Sequence, residues 1–506
     1  MPKGSMPVLI GVGQAVSQWD GSAGADDAPS PRSLAVEASK AALADTGVEG
    51  ALGSIDMLAV VRTTEDSTPN PRHPNGENSN PPGTIARDLG ASPANAIYSI
   101  AGGQTPQSLV NEMAGRIHGG EIEAALITGA QANRAAKGAR RNGIELDWSD
   151  EADSPFEDRG IGSMLLTRAE IKHGLVMPAI FYALFENALA AREGRTRTQH
   201  RQVMSELFEG FSKIAADNRY AQFPTARTAE FLATPTKENF ELVDPYLKWH
   251  VAQESVNQAA AVIVAAEETA DRLGVAADKR VYLHGAGEAA DGHISERHIL
   301  DGSWAMDIAL NRALDAAERK TGDFALFDLY SCFPIAVFSS TAILGIDWRS
   351  ETRPLTVTGG LPYFGGPGNN YSLHGIASMV ERLRGQRGDY GLVLANGGWM
   401  TKEAAGVYST NRPNEFRPAA PMANPDKEPP ALINGPASGT LESYALLHRG
   451  RDGQPEAPAF GRTATGERFL AKASAKALPR LREECNPIGA PISIVADDEV
   501  NTFDFD

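Results

Sequence analysis

Gly359-Gly360-Leu361-Pro362-Tyr363-Phe364-Gly365-Gly366-Pro367-Gly368-Asn369-Asn370-Tyr371-Ser372-Leu373-His374-Gly375 sets six glycines and a run of polar residues ahead of a helical pattern that continues from Ile376 to Leu383. Glycine lets a backbone turn tightly and approach a ligand closely. The first turn of the helix that follows carries N–H groups without intrahelical partners. Together these mark a place for chemistry; a glycine-rich surface turn is the alternative reading of the same letters.

Working outward, the helical pattern has an echo. Met113-Ala114-Gly115-Arg116-Ile117-His118-Gly119 and Met379-Val380-Glu381-Arg382-Leu383-Arg384-Gly385 share the form Met-x-x-Arg-apolar-x-Gly. Each leads into a strand-like run, Ala124 to Ala130 in one case and Gly391 to Gly398 in the other. Each is preceded by glycines, Gly102-Gly103 and then Gly365-Gly366 with Gly368. A repeat spaced by about half the chain points to two similar lobes rather than to a short-period solenoid.

Composition bounds what such lobes can do. The 506 residues suffice for two or three domains. A hydrophobic share of 42% with 22% charged residues fits a globular protein with a large core. The net charge of −17, from 47 basic and 64 acidic residues, argues against nucleic-acid or anionic-membrane binding, though not against one basic pocket for a phosphorylated ligand. Cys332 and Cys485 are the only cysteines, which excludes a disulfide framework and a cysteine-rich metal site. No metal is expected, and a reducing, cytoplasmic location is. No signal pattern and no long apolar run is present, so no membrane association is expected.

Strands and helices alternate through most of the chain. Val8 to Gly13 reads as a buried strand, Pro31 to Leu43 as a helix capped by Ser30, and Ile55 to Val61 and Ile97 to Ile100 as further strands. Residues 64–83, with five prolines, read as loop. This alternation predicts an α/β fold with buried, mostly parallel strands. Residues 131–255 break the rhythm: they are helix-prone and carry two basic clusters, Arg134, Lys137, Arg140 and Arg141, then Arg192, Arg195, Arg197 and Arg201. Either cluster is a candidate phosphate site or a solvated face. Ala259 to Ala266, Val281 to Gly285 and Phe324 to Tyr330 resume the strands, with a helix expected over Asp307 to Lys320. Seven prolines between Arg412 and Ala437 read as an extended linker. Gly439 to Ala473, with a turn at Arg451-Asp452-Gly453, alternates like a small β-domain, completed by a helix from Leu478 and a strand over Ile492 to Val495.

In this order the segments resemble the thiolase superfamily, nearest its sterol-carrier-protein-type thiolase-like members, over about residues 5–410. The linker and final domain resemble the added C-terminal domain of the type-one thiolase-like proteins. The resemblance implies a duplicated five-layered αβαβα fold, with two glycine-entered helices packed together at its centre. Their small residues, Ala114, Gly115, Gly375, Ala377 and Ser378, are expected to permit close approach. The implied domains are an N-terminal lobe over 1–275, with an inserted loop domain over about 131–255, a second lobe over 276–412, a linker over 413–437 and an OB-like barrel over 438–506. It further implies coenzyme A or acyl-CoA as substrate, bound between the insertion and the second lobe, with Gln253 the candidate contact. A monomer is favoured over a dimer, because an added domain occupies space where a partner would dock.

The family's chemistry uses a cysteine at a buried helix N-terminus, a histidine and a second cysteine. This sequence puts Gly102, Gly366 and Ala395 at those positions. Catalytic side chains must then come from what remains, Tyr330, Cys332, Asn370 and His374, with the backbone N–H groups of Gly397 and Gly398 for an oxyanion. Cys332 reads as a nucleophile or a buried inert thiol, His374 as a base or a satisfied helix histidine, Tyr330 as a proton donor or packing. The expected function is a thiolase-like acyltransferase of the acetyl-CoA acetyltransferase type, acting on CoA thioesters without the usual cysteine nucleophile. Two alternatives stand beside it. One is a tyrosine-dependent retro-aldolase on a 3-hydroxyacyl-CoA, and the other a non-catalytic acyl-CoA-binding homologue.

Overall fold

The computed structural model describes residues 4–163, 166–420, 422, 428–435, 437–448, 450, 453–497 and 500–506. Eleven strands precede the linker: β1 (Pro7–Val16), β2 (Met57–Val60), β3 (Asn95–Tyr98), β4 (Ala124–Ala132), β5 (Glu157–Asp158), β6 (Val243–Asp244), β7 (Asn257–Ala266), β8 (Val281–Ala290), β9 (Phe324–Asp328), β10 (Tyr390–Gly397) and β11 (Lys402–Ser409). β4, β7 and β11 are buried along their whole length, which is why they read as apolar and small-residue runs rather than as alternating patterns.

All but β6 form one continuous sheet, ordered β5-β3-β2-β4-β7-β1-β8-β11-β10-β9. The junction is narrow: β1 meets β8 only at Val8 with Tyr282 and Leu9 with Val281. Outward from it the halves match. β1–β7 and β7–β4 are antiparallel and β4–β2 parallel; β8–β11 and β11–β10 are antiparallel and β10–β9 parallel. The helices Thr105–His118 and Tyr371–Gly385 touch each other and both halves of the sheet, so they form the middle layer. Pro31–Asp45 and Trp304–Ala317 cover the outer faces. This is the duplicated five-layered αβαβα arrangement.

The match extends to single residues. A Cβ on Gly11 or Gly13 of β1 would lie 2.3 or 2.2 Å from the carbonyl oxygens of Ala42 and Ala38. On Gly285 or Gly287 of β8 it would lie 2.2 or 2.1 Å from those of Ala313 and Ala309. In both lobes a Gly-x-Gly pair therefore lets an outer helix rest its backbone on the strand. The Ser30 cap forms as expected, reciprocated by Ser33. The expected Asp307 start gives way to Trp304, because Ser303 caps that helix through the Met306 N–H.

One packing expectation is corrected. Gly115 does not face the other central helix: the nearest neighbour of its missing Cβ is Pro418, at 3.9 Å. Gly375 is turned toward Asp328 of β9, whose Oδ2 would lie 2.4 Å from an added Cβ. Gly115 and Gly375 thus serve different neighbours rather than one helix seam.

Residues 131–255 hold, among the described residues, five α-helices, among them Pro178–Arg192 and Arg197–Ala216. Their basic clusters are engaged in structural pairs. Lys137 meets Glu254 at 2.6 Å and Arg192 meets Asp301 at 2.5 Å, while Arg197 and Arg201 share Asp244 at 3.1 and 3.3 Å.

Of the 413–437 stretch, residues 421, 423–427 and 436 lie outside the described residues, as do Arg451 and Asp452 of the expected turn. Beyond it, β12 (Ala437–Tyr444), β14 (Pro458–Arg462), β15 (Arg468–Ala473), β16 (Pro491–Asp497) and β17 (Val500–Phe505) close a barrel, and β13 (Leu446–Leu447) pairs with β6 of the insertion. Arg468 crosses the interface: buried, and bonded to Glu442, it donates to the carbonyls of Ser295 and Arg297 at 2.7 and 2.6 Å.

The shared strand-on-helix contact is testable. Gly13→Ala and Gly285→Ala should each destabilise the protein by about 1–3 kcal/mol, since the methyl meets backbone that cannot yield locally. Gly53→Ala, whose methyl meets nothing within 4 Å, should leave the denaturation midpoint unchanged. Equal midpoints for all three and the wild type would contradict the duplication of this contact.

Candidate active site

The three positions left without reactive side chains are occupied by close packing. Gly102 has φ +142°, a conformation that suits glycine, and its N–H donates to Asn369 Oδ1 at 3.1 Å. A Cβ there would lie 2.1 Å from Gln104 Oε1, so the Gln104 amide fills the volume a nucleophile at 102 would need. The same oxygen would lie 1.9 Å from a Cβ on Gly397. Gln104 is fully buried and its Oε1 has no hydrogen-bond partner. At Gly366 a Cβ would press on Ala252 at 3.3 Å, and the Gly366 N–H donates to the carbonyl of Gln253 at 2.9 Å. Ala395 lies buried within β10.

The expected residues separate into two groups. Tyr330 and Cys332 follow β9 and meet the end of β10. A Cβ on Gly103 would lie 2.5 Å from the Tyr330 hydroxyl and 2.4 Å from the Asn396 carbonyl oxygen, which fixes that hydroxyl against the start of the Thr105–His118 helix. Asn396 Nδ2 donates to the Tyr182 hydroxyl at 3.1 Å and lies 3.8 Å from Cys332 Sγ. Cys332 is buried, and burial pushes its thiol up to about 12. Burial likewise holds the phenols of Tyr330 and Tyr182 well above their ordinary value, with Cys332 adding to both.

Asn370 and His374 are tied elsewhere. Asn370 Nδ2 donates to the Gly129 carbonyl at 2.6 Å on β4. His374 Nδ1 bonds Gln14 Oε1 of β1 at 2.8 Å, and Phe364 sits edge-on to its ring. Burial drives its pKa down to about 3, so the imidazole is neutral across the physiological range. Gln253 spends both amide hydrogens on its own loop, donating to Lys248 and Val251 carbonyls at 2.8 and 2.9 Å. Its backbone pins the glycine-rich loop, accepting from Gly366 and donating to Leu361.

Gly397 and Gly398 stand where β10 ends in a left-handed turn: Gly398, Trp399 and Met400 have φ of 57°, 59° and 63°. Such angles strain the two non-glycine residues. Asn396 Oδ1 accepts the Met400 N–H at 3.0 Å and Trp399 stacks on Phe181 with centroids 4.4 Å apart, which holds the turn.

Two residues join the site that the sequence reading missed. One is Gln104. The other is Glu403, opposite Asn396 in the β10–β11 register and therefore on the same sheet face. It is fully buried with neither carboxylate oxygen hydrogen-bonded, and burial holds its carboxyl far above the ordinary range despite the opposing charge of Arg297. A period-two reading of Glu403, Ala405 and Val407 would have placed it inside. The site thus gathers neutral proton donors, a phenol and a protonated carboxyl, and no thiolate. Among the described residues no group of three or more His, Cys, Asp or Glu is placed to hold a metal, and no helix is long and apolar enough to cross a membrane.

No family model and no curated protein matches the sequence. Solved structures do. A monomeric SCP2-thiolase like protein type 1 from Mycobacterium smegmatis is 35% identical, with 99% of each chain covered and a TM-score of 0.82. An Ltp2-ChsH2(DUF35) aldolase is 20% identical over 80% of this chain and 97% of that one, with a TM-score of 0.59. An acetyl-CoA acetyltransferase from Syntrophomonas wolfei is 16% identical over 81% of this chain and 100% of that one, with a TM-score of 0.57. The last two share the fold.

The two buried titratable groups predict opposite pH trends. Unfolded, His374 takes a proton below about 6.5, while folded it stays neutral to about 3, so its burial costs stability as pH falls. His374→Gln should therefore gain on the wild type below pH 6.5, by up to about 1.4 kcal/mol per pH unit. Glu403 is protonated when folded and ionised when unfolded above about 4.5, so it costs stability as pH rises. Glu403→Gln should gain on the wild type as pH rises above about 4.5. Urea midpoints across pH measure both, and parallel curves for variant and wild type would contradict the assigned charge states.

Proposed function

The chain belongs to the type-1 SCP2-thiolase-like family, and from that premise we propose that it cleaves or forms a carbon–carbon bond beside the carbonyl of a CoA thioester without an acyl-cysteine. The observation that carries this is the Gln104 amide in the nucleophile's volume beside Gly102, with the remaining thiol, Cys332, held protonated by burial. Acyl transfer through a cysteine needs a thiolate. Neutral donors suit a different task, stabilising the oxyanion or enolate of a thioester.

The reading favoured is retro-aldol cleavage of a 3-hydroxyacyl-CoA. The β-hydroxyl loses its proton and becomes a carbonyl, the Cα–Cβ bond breaks, and its electron pair passes to the thioester enolate. The enolate then takes a proton at Cα. The Tyr330 hydroxyl is the group we assign to the thioester oxygen or the transferring proton, with Glu403 keeping its surroundings uncharged. Acyl transfer of the acetyltransferase type is the reading this displaces, and acyl-CoA binding without turnover is the outcome if no ester is consumed.

Support for the CoA part comes from a cleft of 770 Å³ on the insertion. Arg227, Lys237 and Lys248 bring positive charge to it, and the Arg227 guanidinium lies 3.6 Å over the Trp249 ring. From Lys248 a single helical turn, Lys248–His250, leads to Ala252, whose N–H donates to the Cys332 carbonyl at 2.9 Å. Phosphates at the cleft and a pantetheine arm along residues 248–253 would lead the thioester to Tyr330. A monomer is proposed as the working unit, since the relative of 99% coverage is named as one.

A panel of 3-hydroxyacyl-, 3-oxoacyl- and simple acyl-CoA esters, followed by mass spectrometry, tests this. A 3-hydroxyacyl ester should yield a shorter thioester and a ketone or aldehyde. Tyr330→Phe should lower that rate by about 10²–10⁴-fold, while Cys332→Ala stays near wild type. A normal rate in Tyr330→Phe, or an acyl adduct on Cys332 in the intact mass, would overturn it.

A further inference from the structure

A second depression reaches the site and shares no lining residue with the cleft on the insertion. It is a groove of 380 Å³ between the Thr105–His118 helix and residues 418–420. Its exposed surface is mostly apolar, from Ile100, Leu109, Pro418 and Ala419, with Ser99, Thr105 and Ser108 also in its lining. Its charges are cancelled at the rim, where Arg159 holds Glu112 through two bonds of 2.7 and 2.8 Å. Glu288, within it, is hydrogen-bonded by Asn111 at 2.9 Å, and burial raises its carboxyl. Nothing here suits a phosphate.

Gln104 lines this groove. It is fully buried, its Oε1 lacks a donor, and its amide is the same one wedged between Gly102 and Gly397. The inner end of the groove is therefore the wall of the reaction site. An amide offers both an acceptor and donors, so it can bond a hydroxyl and equally the carbonyl that hydroxyl becomes.

We propose that this groove binds the carbon fragment on the β-side of the bond, an uncharged apolar molecule ending in a hydroxyl or carbonyl, while CoA occupies the other cleft. The assignment rests on the carbon–carbon reading above. Two entrances then separate the charged and the uncharged halves of one substrate, and the uncharged product leaves without passing the CoA arm.

Gly115 gives a clean test, because a Cβ there meets nothing closer than Pro418 Cβ at 3.9 Å and the residue lines the groove. The full chain is titrated with cyclohexanone and with methyl hexyl ketone by saturation-transfer NMR, and separately with CoA by calorimetry. Wild type should bind a ketone. Gly115→Phe and Ala420→Trp should each weaken that binding by about tenfold or more, with CoA affinity and thermal midpoint unchanged. Should Gly115→Phe fail to fold, Ala420→Trp on the exposed side carries the test. Absence of ketone binding by the wild type, or equal binding by the folded variants, overturns the proposal. Ketone binding abolished by the variants in a protein that does not bind CoA would leave the groove standing and remove the CoA reading.

Discussion

Backbone contact at the heart of the molecule sets the dimensions of everything around it. Gly103 has no room for a Cβ, because the Asn396 carbonyl and the Tyr330 hydroxyl already lie 2.4 and 2.5 Å from where it would stand. The first central helix therefore begins in direct contact with the end of β10 and with the loop after β9. That contact ties the two lobes together at the point where their helices start. One residue earlier, at Gly102, a Cβ would lie 2.1 Å from Gln104 Oε1, so that position too is closed by packing. The Gln104 amide packs into that space, with glycine on both sides of it at Gly102 and Gly397.

Much of this frame is written in local sequence. The glycine-rich loop, the paired Met-x-x-Arg-apolar-x-Gly helices and the strands after them are read correctly because each depends on a few neighbouring residues. The small-residue strands β7 and β11 are buried on both faces and so show no alternation, yet their composition still identifies them. The long-range partners are another matter. Gly115 and Gly375 look alike in sequence, but one faces Pro418 and the other Asp328. Nothing local distinguishes a glycine that admits a helix from one that admits a carboxylate. The arginine clusters fail for a related reason: Arg197 and Arg201 converge on Asp244, some forty residues on, and only the folded insertion brings them there.

The site was half legible. Tyr330 and Cys332 come together with Asn396 because β9 and β10 run parallel, with Asp328 opposite Val393, so both chains carry on to the same end of the sheet. Asn370 and His374 stand in the same glycine-rich segment, yet the helix rotates them toward β4 and β1. Sequence adjacency says nothing about that rotation. Glu403 escaped notice because a lone acid after a turn looks like surface. Its burial follows from pairing with Asn396 on one side and Ala289 on the other.

Glu403 also shows how the barrel reaches the site without touching it. The Arg297 guanidinium, buried and 3.5 Å from Asp291, is the charge that opposes neutralisation of Glu403. Arg297 stands on a segment whose carbonyls at Ser295 and Arg297 are gripped by Arg468 from β15. Arg468 is itself fixed by two bonds to Glu442, of 2.8 and 2.7 Å. At a buried charge desolvation and attraction oppose each other, and at Glu403 desolvation is the larger. The barrel thereby sets how strongly a positive charge bears on the carboxyl beside Asn396. One arginine of the barrel thus holds the backbone beneath the arginine that opposes Glu403.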